Sequence, residues 1–179
     1  MKSVASRMLT VLASILAFTG AAQATEVWGP SFGGGGGTSY QQKCTMGSMH
    51  GMRIRAGSMV DAVGARCYQD NPVNKLMLGG GGGTLTTVTC PTDFFSYAPF
   101  AKGILGRSGA QVDRLGLRCT DDFKIISNAL SQYGGSGGTA FSWSCGNGFS
   151  AKGFFGATGA LVDRIGVICS NRFEWETTP

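Results

Sequence analysis

Apolar positions in this chain recur with a period of two, and no segment carries a convincing helical spacing. In Ala140-Phe-Ser-Trp-Ser-Cys145 apolar and polar residues alternate from Phe141 onward, and Thr84-Leu-Thr-Thr-Val-Thr-Cys90 is rich in β-branched residues. Both read as strands. A second strand type begins at Val60, Val112 and Val162 and ends at Cys67, Cys119 and Cys169; in its last copy Ile165, Val167 and Cys169 form the inward face, with Asp163 at the strand's start. A third type covers residues 51–55, 101–106 and 151–156. The best helical candidate, 122–130, falls between repeating units. Short strands separated by glycine turns predict an all-β protein.

The strands belong to a unit that occurs three times. Gly36-Gly37-Thr38, Gly82-Gly83-Thr84 and Gly137-Gly138-Thr139 are each followed, six residues after the Thr, by Cys44, Cys90 and Cys145. A G-x-x-x-D segment at 57–61, 109–113 and 159–163 places Asp61, Asp113 and Asp163 six residues before Cys67, Cys119 and Cys169. The units span about 33–68, 79–120 and 134–170, and any function of one exists potentially in triplicate. Each is too small to bury a comfortable core alone, so the three share one core in a single domain over 25–179. Among three-fold β architectures, a period of about fifty residues favours a prism over a trefoil.

Composition changes this picture in three respects. Residues 1–24 carry Lys2 and Arg7, an apolar stretch from 8 to 18 and a small-residue end, Ala22-Gln23-Ala24. That pattern predicts a secretory signal peptide and an extracellular, secreted mature chain; the stretch is too short for a membrane-spanning helix, and no membrane insertion is expected. Without those residues the formal net charge falls from +5 to +3, because they hold two of the 15 basic and none of the 10 acidic residues. The remaining Lys and Arg are scattered, which argues against nucleic acid as the partner. Of the 30 glycines, 14 cluster at one position of the repeat (33–37, 79–83, 134–138), so these mark turns and not low complexity.

Six cysteines in an exported chain point to disulfides. Each unit owns a leading and a trailing cysteine, which predicts Cys44–Cys67, Cys90–Cys119 and Cys145–Cys169, each contributing roughly 3 kcal/mol. Zinc would need short Cys or His pairings; none is present and His50 is the sole histidine. No metal or cofactor is expected. A single histidine and carboxylates held in different units also leave no set for nucleophilic or paired-carboxylate catalysis, so the chain is not read as an enzyme.

Lys152-Gly-Phe-Phe-Gly-Ala-Thr-Gly-Ala-Leu-Val-Asp-Arg-Ile-Gly-Val167, with Tyr133-Gly-Gly-Ser-Gly-Gly-Thr-Ala-Phe141 and the matching segment 104–117, resembles the mannose-specific branch of the jacalin-related lectins. The resemblance covers essentially the whole mature chain. It implies a β-prism of three four-stranded Greek-key sheets with pseudo-three-fold symmetry, here with one disulfide per repeat, which plant relatives generally lack. It also implies sugar held at one end between a glycine pair and a G-x-x-x-D loop. Carried over, the first site uses Ala160, Leu161 and Asp163 with Gly37; the second uses Ser58, Met59 and Asp61 with Gly83; the third uses Ala110, Gln111 and Asp113 with Gly138. The partner class is glycans or polysaccharides of mannose or glucose type, since the galactose-specific branch relies on a chain cleavage not evident here. A homo-oligomer is left open.

The chemistry of such a site follows from its residue types. Sugar hydroxyls both donate and accept, so a binder needs fixed donors and one strong acceptor. A carboxylate accepts from two neighbouring hydroxyls, and glycine lets main-chain N–H groups approach the ring. The residues alone leave two alternatives open. Each Asp could serve only to tie down its own loop, and the chain could be a secreted structural or protein-binding prism without sugar binding.

Overall fold

The computed structural model describes residues 25–91, 100–120 and 128–171, and the expected signal peptide lies outside them. Thirteen strands, and no helix, make up the described residues: β1 (Glu26–Gly33), β2 (Thr38–Lys43), β3 (Met49–Ala56), β4 (Val60–Cys67), β5 (Leu78–Gly79), β6 (Thr84–Thr89), β7 (Phe100–Ser108), β8 (Val112–Thr120), β9 (Asn128–Ala129), β10 (Tyr133–Gly134), β11 (Thr139–Ser144), β12 (Phe149–Thr158) and β13 (Val162–Asn171). Of the helical candidate 122–130, residues 122–127 lie outside the description; Asn128–Ala129 is a strand paired with β8, because the neighbouring strand's free edge offers this stretch backbone partners.

Three antiparallel sheets form a prism. Sheet A has the order β1-β13-β12-β2, sheet B β5-β4-β3-β6, and sheet C β10-β8-β7-β11 with β9 added beside β8. In sheet B the hairpin β3–β4 is followed by β5 on the β4 side and β6 on the β3 side, a Greek key. Sheet C repeats that order. Sheet A does so only by joining the two far ends of the described chain: β12 and β13 supply the central hairpin and β1 and β2 the flanks. The sheets therefore straddle the sequence repeats, each combining the long hairpin of one unit with the glycine-turned hairpin of the next.

Inward residues of all three sheets meet in one core. Met49, Met52, Ile54, Ile104, Leu115, Leu117, Phe154 and Ile165 are fully buried in it. Ile165 and Val167 occupy the expected inward face of β13. Edge strands close the seams by different chemistry. Gln42 on β2 donates to Leu76 O (2.8 Å) and accepts from Ala65 N (2.6 Å) in sheet B. Trp143 on β11 lies across Gly29 of β1, where any Cβ would meet its ring at 2.6 Å. Phe141 stacks on Phe32 with centroids 4.3 Å apart, so these two aromatics belong to the core margin.

All three expected disulfides are formed, and there are no free cysteines. Each joins two sheets. Cys44, just after β2, reaches β4; Cys90, just after β6, reaches β8; Cys145, just after β11, reaches β13. A to B, B to C and C to A are thus laced in a ring at one pole of the prism. Beside the first bond, Asp70 is buried, accepts from Thr45 N (2.7 Å) and Met46 N (2.8 Å), and pairs with Lys75 at 2.6 Å. Burial by itself raises the Asp70 carboxyl, but the Lys75 ammonium and the two N–H donors outweigh it and hold the group below the usual carboxylate range.

Candidate functional site

The opposite pole is built from the glycine-rich turns and the G-x-x-x-D turns. Each Asp opens a long strand whose far end carries a disulfide, about 20 Å away at the rise of an extended strand. In the last unit, β12 and β13 are joined by a tight turn in which Gly159 N donates to Leu161 O at 2.9 Å. The same bond recurs from Gly57 to Met59 (3.0 Å) and from Gly109 to Gln111 (2.9 Å). It leaves the N–H groups of Ala160 and Leu161, and of their counterparts Ser58, Met59, Ala110 and Gln111, without an acceptor among the described residues.

Each glycine loop is anchored to the Asp of its own sheet through main chain. Gly34 N donates to Asp163 O (2.9 Å), Gly80 N to Asp61 O (2.9 Å) and Gly135 N to Asp113 O (2.8 Å). The loop then curls over the same residue's side chain. Gly37 has φ +72°, and a Cβ there would collide with Asp163 Oδ2; Gly83 and Gly138, both at +61°, stand in the same relation to Asp61 Oδ2 and Asp113 Oδ2. Glycine is required on both counts, the left-handed backbone and the contact.

The structure thus brings together all three expected sets: Gly37 with Asp163 and its turn, Gly83 with Asp61 and its turn, Gly138 with Asp113 and its turn. The carboxylates of Asp61 and Asp113 accept no hydrogen bond from the described residues, and that of Asp163 accepts one, from Gln111 Nε2 at 3.4 Å. The loop-tying role belongs to the main-chain oxygens. What remains at each site is a carboxylate beside unfilled backbone donors on fixed turns, a combination suited to neighbouring hydroxyl groups.

Two features were not anticipated from sequence. Each G-x-x-x-D turn also abuts the glycine loop of another site, with Ala110 against Gly34, Ala160 against Gly80 and Ser58 against Gly135, so the sites form a ring. Arginines also hold the glycine loops, two of them from one position of the repeat, while the third is reached from β13 by Arg164 Nη1, which donates to Gly34 O at 3.5 Å. Arg107 donates to Gly137 O (2.8 Å) and Gly138 O (2.7 Å), and Arg55 Nη1 to Gly81 O, Gly82 O and Gly83 O at 3.1–3.3 Å. The equivalent position in the third copy is Ala157. Superposing the repeats on Arg55, Arg107 and Ala157 would have signalled the difference.

Among the described residues, the grouping of metal-type ligands is Cys44, Cys67 and Asp70. Its sulfurs form a disulfide and its carboxylate is paired with Lys75.

The model of the jacalin-like lectin domain family matches residues 28–168. No curated protein matches the sequence significantly. Among solved structures, Malaysian banana lectin is 21% identical, covering 83% of this chain and 99% of its own with a TM-score of 0.62. Calsepa lectin in complex with a biantennary N-glycan is 21% identical, with 82% and 97% covered and a TM-score of 0.63. A mannose-binding jacalin-related lectin from Ananas comosus is 21% identical, with 82% and 96% covered and a TM-score of 0.59.

Proposed function

The chain belongs to the jacalin-like lectin domain family, and from that premise we propose that it is a secreted, metal-independent lectin for mannose- or glucose-type glycans, with a binding site at each of Asp163, Asp61 and Asp113. The observation that carries this reading is the division of labour within each Asp. Its main-chain oxygen holds the glycine loop, while its carboxylate is left to accept from a ligand beside unfilled N–H donors.

In this reading the carboxylate accepts from two vicinal hydroxyls, and the N–H groups of the G-x-x-x-D turn and the glycine donate to the sugar oxygens. Neither role moves a covalent bond, so the activity is binding and not catalysis. The donors are set before the ligand arrives, which lowers the ordering cost. A shallow site of this size binds one sugar with a Kd on the order of 0.1–1 mM, and three sites at one pole raise the avidity for a branched or clustered glycan.

The test is a glycan array with the mature, oxidised protein, repeated with free mannose and with the Asp61→Asn/Asp113→Asn/Asp163→Asn variant. Selective capture of mannose- or glucose-terminated glycans, lost with both controls, is the expected result. A folded protein that captures none overturns the proposal in favour of a prism with a protein partner.

A further inference from the structure

The outer faces of the three sheets differ at one position of the repeat. Gly64, Gly116 and Gly166 stand at equivalent places in β4, β8 and β13. In sheet B the Met77 side chain lies over Gly64, where a Cβ would meet its sulfur at 3.0 Å. In sheet C Gln132 lies over Gly116, with its Cγ 2.7 Å from where a Cβ would stand. The third copy has Ser31 at the position of Met77 and Gln132, and its side chain is too short to reach across. There the Phe155 ring covers Gly166, and the face beside it stays open. The result is a groove of about 530 Å³ walled by Trp28, Phe155 and Arg164, with Ser31, Ser39 and Gln41 along it. Trp28 is 49% exposed and leans on Phe155, the ring centroids 4.8 Å apart. Arg164 forms no ion pair with the described residues, and its side-chain hydrogen bond to Gly34 O is long at 3.5 Å.

We propose that this groove is a second carbohydrate site, on the side of the prism and separate from the three Asp sites, and that it takes a short segment of an acidic polysaccharide containing uronic acid units. The inference goes beyond the lectin reading and stands without it. A pyranose ring carries C–H groups on one face, and a half-exposed indole backed by a second aromatic ring gives that face a flat apolar support with a polar N–H at its edge. Ser31, Ser39 and Gln41 supply donors and acceptors for ring hydroxyls. Among the described residues Arg164 is the one charge lining the groove. Its planar fork matches a uronate carboxylate through two parallel hydrogen bonds. An apolar protein surface laid on the same groove would bury that guanidinium without a partner, which is costly. Apolar walls with a few convergent polar groups, at this volume, are the usual make-up of a ligand site.

The experiment silences the pole with Asp61→Asn/Asp113→Asn/Asp163→Asn and titrates this background with trigalacturonate and with its methyl ester, which keeps the rings and removes the charge. The acid binds, the ester binds at least tenfold more weakly, and Arg164→Gln lowers the affinity for the acid by a similar factor, the worth of a charge-assisted hydrogen bond. Trp28→Ala lowers it about three- to tenfold, and the Trp28 indole N–H resonance shifts on adding the acid. Ser31→Met, which copies the sheet B residue and keeps every charge, refills the hollow and removes binding with no change in melting temperature. A folded background that binds neither probe overturns the inference, whatever the glycan array returns for the Asp sites. Equal affinity for acid and ester overturns the acidic occupant, and binding that survives both Trp28→Ala and Ser31→Met overturns the location. A dimer in sedimentation that Ser31→Met dissociates identifies a second copy of the chain as the occupant and overturns the sugar site.

Discussion

Arg107 donates from Nη2 to the Gly138 carbonyl at 2.7 Å while its Nε donates to Gly137 at 2.8 Å. One side chain on a long strand of sheet C thereby holds the end of the loop that carries a proposed donor. The loop owes its shape to this anchor as well as to its glycines, and a preformed loop binds at lower entropic cost.

Arg107→Ala is therefore expected to weaken sugar binding at the Asp113 site about three- to tenfold, with little change in melting temperature. The check is a titration in an Asp61→Asn/Asp163→Asn background, where only the affected site remains. The Asp163 site already carries Ala157 at this position, so its glycine loop has no such anchor to lose.

Asp61→Asn separates a binding carboxylate from a structural one. The side chain accepts no hydrogen bond from the described residues, so stability should stay within about 0.5 kcal/mol of the parent, as for a surface substitution. Loss of a charge-assisted acceptor should weaken its site by about 1.5–3 kcal/mol, tenfold or more. Thermal melting and a titration in an Asp113→Asn/Asp163→Asn background read the two effects separately.

The Asp70–Lys75 pair sets an acid limit on stability. Because the Asp70 carboxyl in the folded protein lies below its ordinary value, the unfolded chain binds its proton first as pH falls. The contribution is present in full above the ordinary carboxylate range and is lost as pH drops through the folded value. Melting temperature measured from neutral pH to about pH 2 should fall more steeply for the parent than for Asp70→Asn, with the two curves converging at the acid end.

The three disulfides span 23, 29 and 24 residues and contribute about 3 kcal/mol each by loop entropy. Together that is comparable with the entire stability of a typical domain, so full reduction should unfold the protein near physiological temperature. Cys145→Ser/Cys169→Ser alone should lower the melting temperature and leave sugar affinity intact, since the bonds and the sites occupy opposite poles. Calorimetry and a titration below the melting point check both halves.

Spacing alone disclosed a good part of this molecule. Fixed distances from glycine pair to cysteine and from Asp to cysteine revealed the units and the pairing of all six thiols, while which glycine pair meets which Asp was legible only through the family resemblance. The sheets were less legible, because they are assembled across unit boundaries. β1 was missed for a local reason: Glu-Val-Trp-Gly-Pro-Ser-Phe-Gly has no clean alternation, and it pairs with β13 only through an irregularity between Trp28 and Ser31. The link from Gln111 to Asp163 and the hold of Arg107 on its loop depend on how turns from separate sheets and strands come to lie together. No spacing within one unit encodes that.

β1 enters sheet A at Glu26, opposite Ser170, and β13 leaves it near the same place. Both ends of the folded body therefore emerge at the disulfide pole. A body fastened by either end, to a bead, a membrane anchor or a second module, faces all three Asp turns away from the attachment, and fusion at either end is expected to leave the glycan-facing surface unobstructed.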